Sequence, residues 1–339
     1  MANLKSLAKD TAIYGLSSIV GRFLNYLLVP LYTHVISAAN GGYGIVTNLY
    51  GYVALLLVIL VFGMETTFFR FANNENERPN EVFSNAMLII GTLVGIFLAI
   101  IFGGIEPISQ WLGYSEHPEY IQIMASIVAL DALQAIPFSF LRFQKRAIKF
   151  ASLKLLFIIL NISLNLLYFV VLGHTDVFYI FMLNLVCTSI ITFFFLPELV
   201  KMKWQINMQL LRRMLSYSWP ILILGIAGIL NQTADKMIFP LIYPNHEEGV
   251  VELGVYGACV KVAMIMAMIT QAFRYAYEPF VFAQSRDKDK NETYAIGMKY
   301  FLIFTLLAFL CVMAYLPMLK YLVGEDYWAG LRVIPIVMA

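Results

Sequence analysis

The chain has 339 residues, of which 60% are apolar and only 13% charged, against about 25% charged in an ordinary soluble domain. With a formal net charge of +2 and a mean hydropathy of +0.76, this composition excludes a soluble globular enzyme, a disordered chain and a nucleic-acid binder. It leaves an integral membrane protein, provided the apolar residues come in runs of about 20.

They do. Apolar runs occupy residues 11–36, 43–69, 82–105, 120–141, 153–172, 177–197, 214–241, 253–284 and 293–317. A tenth begins near Tyr327 and is still apolar at Ile334-Pro-Ile-Val-Met-Ala339, so a longer natural protein is expected. At 1.5 Å per residue these runs cross about 30 Å of hydrocarbon as helices. They are too long for barrel strands and lack the alternation of such strands. The first run is too long for a signal peptide and is read as an uncleaved span. Cys187, Cys259 and Cys311 lie inside apolar runs without metal-ligand spacing, and no metal site is expected.

The joints between runs sort the basic residues by side. On one side fall Lys5, Lys9, Arg70, Arg78, Arg142, Lys145, Arg146, Lys149, Lys154, Lys201, Lys203, Arg212, Arg213, Arg286, Lys288, Lys290 and Lys299, seventeen in all. The joints of the other side carry only Lys320. The positive-inside rule then puts the N-terminus in the cytoplasm. On this reading the cluster from Arg142 to Lys154 anchors the topology, with anionic lipid headgroups as a further contact.

An internal repeat is expected as well. A shift of 210 residues brings Gly15 onto Gly225, Pro30-Leu31 onto Pro240-Leu241 and Gly44-Ile45 onto Gly254-Val255. Both members cross outward, turn and return at a Gly-aromatic step. An even number of intervening spans makes the repeat parallel, about an axis along the membrane normal. The competing reading is two unrelated helix pairs.

Span 1 followed by Gly42-Tyr-Gly-Ile-Val46, and span 7 with Leu215-Ser-Tyr-Ser-Trp-Pro220, Asn231-Gln-Thr-Ala-Asp-Lys236 and Leu253-Gly-Val-Tyr256, carry a resemblance. They resemble the polysaccharide transporter branch of the multidrug/oligosaccharidyl-lipid/polysaccharide exporter superfamily. That branch includes the O-antigen and capsule repeat-unit flippases and the lipid II flippase. The resemblance implies an all-α polytopic protein of two six-helix lobes facing a central cavity. Residues 1–200 would form the N-terminal lobe and 201–339 the start of a truncated C-terminal lobe. It implies a flippase for polyprenyl-diphosphate-linked oligosaccharide in the bacterial inner membrane, serving lipopolysaccharide or capsule assembly.

Ionisable residues inside spans cost about 2.5–3.5 kcal/mol each on insertion scales, so most face a cavity or a partner. Arg22, Lys236, Lys261 and Arg274 are the basic residues well inside spans. Arg22 belongs to a polar stripe with Thr11, Tyr14, Ser18 and Asn25 at helical spacing, roughly 18–20 Å from the helix start. Arg22, Asn25, Lys236, Lys261, Gln271 and Arg274 are therefore the expected substrate-binding cavity residues. Guanidinium and ammonium groups would hold the diphosphate, with Asn48, Tyr52 and Tyr275 as further sugar partners. Arg274 pairing with Glu278, Lys236 pairing with Asp235 or snorkelling, and Lys261 snorkelling remain open alternatives. Asp235, Glu278 and Glu65 are candidate sites for a coupling ion, Na+ or H+. Otherwise Glu65 and Asp131, toward span ends, read as structural.

No nucleotide-binding motif or large catalytic loop appears, so neither a cofactor nor an enzyme activity is expected. A multidrug/cation antiporter of the same superfamily is the first competitor, and would favour an acidic cavity. A membrane-embedded glycan polymerase is the second.

Overall fold

In the computed structural model, residues 28–201, 204–284 and 290–338 are described. All of the regular structure among them is helical. In chain order the helices are α1 (Leu28–Val35), α2 (Gly42–Val61), α3 (Met64–Ala72), α4 (Pro79–Gly103), α5 (Ile105–Trp111), α6 (Pro118–Phe143) and α7 (Ala147–Leu166). They are followed by α8 (Phe178–Lys201), α9 (Met208–Ile242), α10 (His246–Gln284), α11 (Lys290–Leu319) and α12 (Ile334–Met338). Among the described residues seven stretches are long and apolar enough to cross a membrane, from Gly42–Ala72 to Met298–Leu322.

Helix starts follow local chemistry. Pro79 and Pro118 occupy the first turns of α4 and α6, where the missing N–H costs nothing. Asn207 caps α9, its side chain accepting from the Gln209 and Leu210 amides. Helices α7, α9 and α10 begin several residues before the apolar runs that predict them. Their first turns carry polar residues that extend the helix beyond the hydrocarbon.

Two expectations are modified. The run at 43–69 is not one continuous helix: it breaks between α2 and α3 at Phe62 and Gly63, with φ of 53° and 66°. A side chain at Gly63 would also meet Ile221 Cγ2 at 2.9 Å and the Ser218 carbonyl at 3.2 Å. The last run does not start as an α-helix at Tyr327. It coils as a 3-10 segment over Glu325–Val333, and α12 begins only at Ile334.

The chain divides into two compact units: one takes in residues 45–250, the other 29–44 and 251–339. In the first unit α6 is the central helix, packing on α3, α4, α5, α7 and α8. Its most apolar stretch is 61% buried, the highest share of any span. Hydrogen bonds fix α9 on α2: Asn48 Nδ2 donates to the Lys236 carbonyl at 2.8 Å, and the Tyr52 hydroxyl to the Met237 carbonyl at 3.3 Å. In the second unit the Gly324 amide donates to Thr33 Oγ1 at 3.2 Å, and Ser37 Oγ donates to Asp326 Oδ2 at 3.3 Å. Large apolar side chains such as Ile100, Phe193, Leu224 and Leu306 stand exposed. On spans of this hydropathy, that is the lipid-facing surface of a membrane protein.

Candidate functional site

The first unit contains a cavity of about 610 Å³ walled by α2, α3, α6, α7, α8 and α9. Its polar lining is Glu65 and Thr66 from α3, Asp131, Gln134 and Arg142 from α6, and Lys154 from α7. Helical geometry explains the grouping. Asp131, Gln134, Phe138 and Arg142 follow one another at three- and four-residue steps, which places them on one face of α6. Phe150, Lys154 and Phe157 do the same on α7. Glu65 enters because the chain turns at Gly63 one residue before α3 begins.

The charges form a ladder. Arg142 lies in the last turn of α6, at the end of the bundle that also bears Arg70 and Arg146. Glu65 is seven residues from the end of α3, and Lys154 seven from the start of α7, each about 10 Å along its helix. Asp131 is twelve residues from the end of α6, about 18 Å along the axis and near the middle of the span.

Arg142 Nη2 donates to Ser139 Oγ at 3.0 Å and lies 3.5 Å from Glu65 Oε1, which also accepts from Ser139 Oγ at 3.3 Å. The guanidinium sits 5.0 Å from the Phe69 ring centroid, and its Nε is buried without a partner. The Lys154 ammonium lies over the Phe138 ring at 4.0 Å, a cation–π contact. Asp131, Glu65 and Arg142 are the charges acting on it. Gln134 Nε2 donates to the Thr188 carbonyl at 3.1 Å and to Thr192 Oγ1 at 2.8 Å, tying α6 to α8. Two cations and two carboxylates leave the lining without net charge.

Chemically, such a site offers planar N–H donors to an oxyanion and carboxylates to a proton or cation. Sequence reasoning assigned Arg142 and Lys154 to the topology cluster and Asp131 to a structural role near a span end. The structure places all three in the cavity with Glu65. The signal that would have found them is the three- and four-residue spacing on α6, read together with a lysine in the second turn of the next helix.

The other expected site residues are placed as follows. Arg22 and Asn25 lie outside the described residues. Lys236 is half-buried on α9 and donates to the Gln232 carbonyl at 3.0 Å in its own helix, while Asp235 beside it is exposed. Lys261 is half-buried on α10. Gln271, Arg274, Tyr275 and Glu278 belong to α10, and their side chains lie outside the description. Asn48 is 2% exposed, and its amide is engaged with the Lys236 carbonyl and the Tyr114 hydroxyl, an internal structural role.

Seven helices among the described residues that are long and apolar enough to cross a membrane define a multi-pass membrane protein, and its bundle encloses a cavity with a charged lining. Residues 7–277 match the model of a family described as polysaccharide biosynthesis protein, and the chain belongs to that family. No curated protein sequence matches it. Its fold is that of the MATE transporters. An inward-facing multidrug resistance MATE family transporter of the MOP superfamily superposes with a TM-score of 0.69 at 15% identity, over 97% of this chain and 80% of that one. A MATE structure in the straight conformation gives 0.65 at 16% identity, over 97% and 79%. One in complex with MaD3S gives 0.64 at 15%, with the same coverage.

Proposed function

We propose that the protein is a flippase moving a polyprenyl-diphosphate-linked oligosaccharide across the bacterial inner membrane by alternating access, for surface polysaccharide assembly. The observation that carries this reading is the match of a polysaccharide biosynthesis family over residues 7–277. The diphosphate headgroup bears negative charge and cannot enter hydrocarbon unaided. Arg142 and Lys154 supply charge-assisted donors inside the spans. Arg22, Asn25, Lys236, Lys261, Gln271 and Arg274 are proposed to extend the polar path, and Asp235, Glu278 and Glu65 to serve the coupling ion. In this reading the N-terminus is cytoplasmic, and the lobes are residues 1–200 and 201–339.

The test is reconstitution of the protein in liposomes with a polyprenyl-diphosphate oligosaccharide in one leaflet. Protein-dependent transfer that falls in Arg22→Ala and Arg142→Ala supports the proposal. Absence of transfer overturns it. A multidrug/cation antiporter is the second reading, favoured by the carboxylates Glu65 and Asp131 in the cavity. Uptake of a lipophilic cation against a proton gradient, without oligosaccharide transfer, selects it.

A further inference from the structure

Asp131 differs from the other charged groups of the cavity. Glu65 is held by Ser139 and Arg142, at 3.3 and 3.5 Å. Asp131 is half-buried near the middle of its span and has no hydrogen bond or ion pair among the described residues. An ionised carboxylate at that depth without a donor is costly. It is stabilised only from a distance, by Lys154, whose ammonium is itself held over the Phe138 ring. Asp131 lines the same cavity as Glu65 and Arg142, which lie toward the basic end of the bundle. Toward the opposite end the polar lining stops. There Asn184 donates to the Tyr50 hydroxyl. Beyond that pair Phe181, fully buried, packs tilted against Tyr50 at 6.2 Å and edge-on to Tyr120 at 5.5 Å between ring centroids.

We propose that Asp131 is a proton-binding site, filled from cavity water at the basic end, with Lys154 as the cation that sets how tightly the proton is held. A proton taken from water bonds to a carboxylate oxygen and removes the unpaired charge. Its release restores the attraction to Lys154. The charged and titratable groups around Asp131 are Lys154 on α7 and Tyr50 on α2, with Glu65 on α3 and Arg142 on its own helix in the same cavity. This inference deepens the transporter reading, since the proton would supply the coupling ion, but proton binding is measured without any substrate.

The experiment is infrared difference spectroscopy of the purified full chain in lipid nanodiscs, stepped in pH, following the C=O stretch of a protonated carboxyl. The expected result is a titrating band that disappears in Asp131→Asn and persists in Glu65→Gln. Lys154→Gln should move its midpoint upward by about one pH unit, a tenfold tighter proton, because the competing cation is gone. A band unchanged in Asp131→Asn, or no titrating band in the native chain, overturns the proposal. Where Asp131→Asn does not fold, an unmoved midpoint in Lys154→Gln overturns it alone. A titrating Asp131 in a protein that moves no oligosaccharide leaves the proton site standing and removes the flippase.

Discussion

The Tyr327 hydroxyl donates to the Ile36 carbonyl at 3.0 Å and accepts from the Tyr43 amide at 3.3 Å. One phenol thereby satisfies both sides of the turn between α1 and α2, from a residue 291 positions away in sequence. Tyr327 is itself fully buried, and its carbonyl accepts from Cys259 Sγ at 3.4 Å.

Tyr327→Phe removes that oxygen while keeping the ring. It takes the hydroxyl away from both the Ile36 carbonyl and the Tyr43 amide, a loss of about 1–3 kcal/mol. Thermal unfolding of the purified protein should show a lowered midpoint, and trapped protease should cut the 36–43 turn sooner. An unchanged melting curve would show that water replaces the hydroxyl.

Gly63 sits at positive φ against Ile221 and the Ser218 carbonyl. Gly63→Ala places a methyl group where there is no room and forces a left-handed residue with a side chain. The expected cost is about 1–3 kcal/mol, with a larger cost for Gly63→Val. The paired variant Gly63→Ala with Ile221→Ala should recover part of the loss, because only the steric share is relieved. Equal stability of Gly63→Ala and the native chain in a detergent melt would refute the packing argument.

The Glu65–Arg142 pair is partly exposed, with side chains 46% and 35% accessible, so its coupling should be small. A double-mutant cycle on stability is expected to give about 0.2–1 kcal/mol. Under the proposed function transport should respond more strongly: Arg142→Lys keeps the charge but loses the planar fork, and oligosaccharide transfer should fall about tenfold or more. A transport loss that merely tracks the stability loss would reduce Arg142 to a structural residue.

His246, in the joint that opens α10, packs its ring on Gly113 and edge-on to Tyr114 at 5.9 Å. Burial pushes its pKa below the ordinary histidine value, with Glu247 opposing. The folded state therefore favours neutral imidazole and the unfolded state takes up the proton more readily. The stability from this contact is complete above a pH of about 6.5 and is lost as the pH falls below that. Melting midpoints against pH should dip on the acid side in the native chain and dip less in His246→Phe. Parallel curves for the two would remove His246 as the cause.

The membrane class was legible without coordinates, because hydrophobic length is a local property. A stretch of some twenty apolar residues can satisfy its backbone in lipid only as a helix, and spans read from the sequence recur as α2 with α3, α4, α6, α7, α8, α9 and α11. The break at Phe62–Gly63 escaped, since both flanking segments are apolar and only the backbone turn separates them. The tail at Glu325–Val333 escaped for a similar reason: hydropathy measures burial and is blind to helix type.

What the sequence by itself determined is the placement of apolar spans, the separation of basic from neutral joints, and the membership of a polysaccharide biosynthesis family. What only the tertiary structure decided is which charges meet. Lys154 and Arg142 look like headgroup anchors while they are counted along the chain. They become cavity residues when α3, α6 and α7 set Glu65, Asp131 and Phe138 beside them. Charge counts depend on position in one dimension, whereas a site depends on which helix faces converge, and that is fixed by packing among residues far apart in sequence.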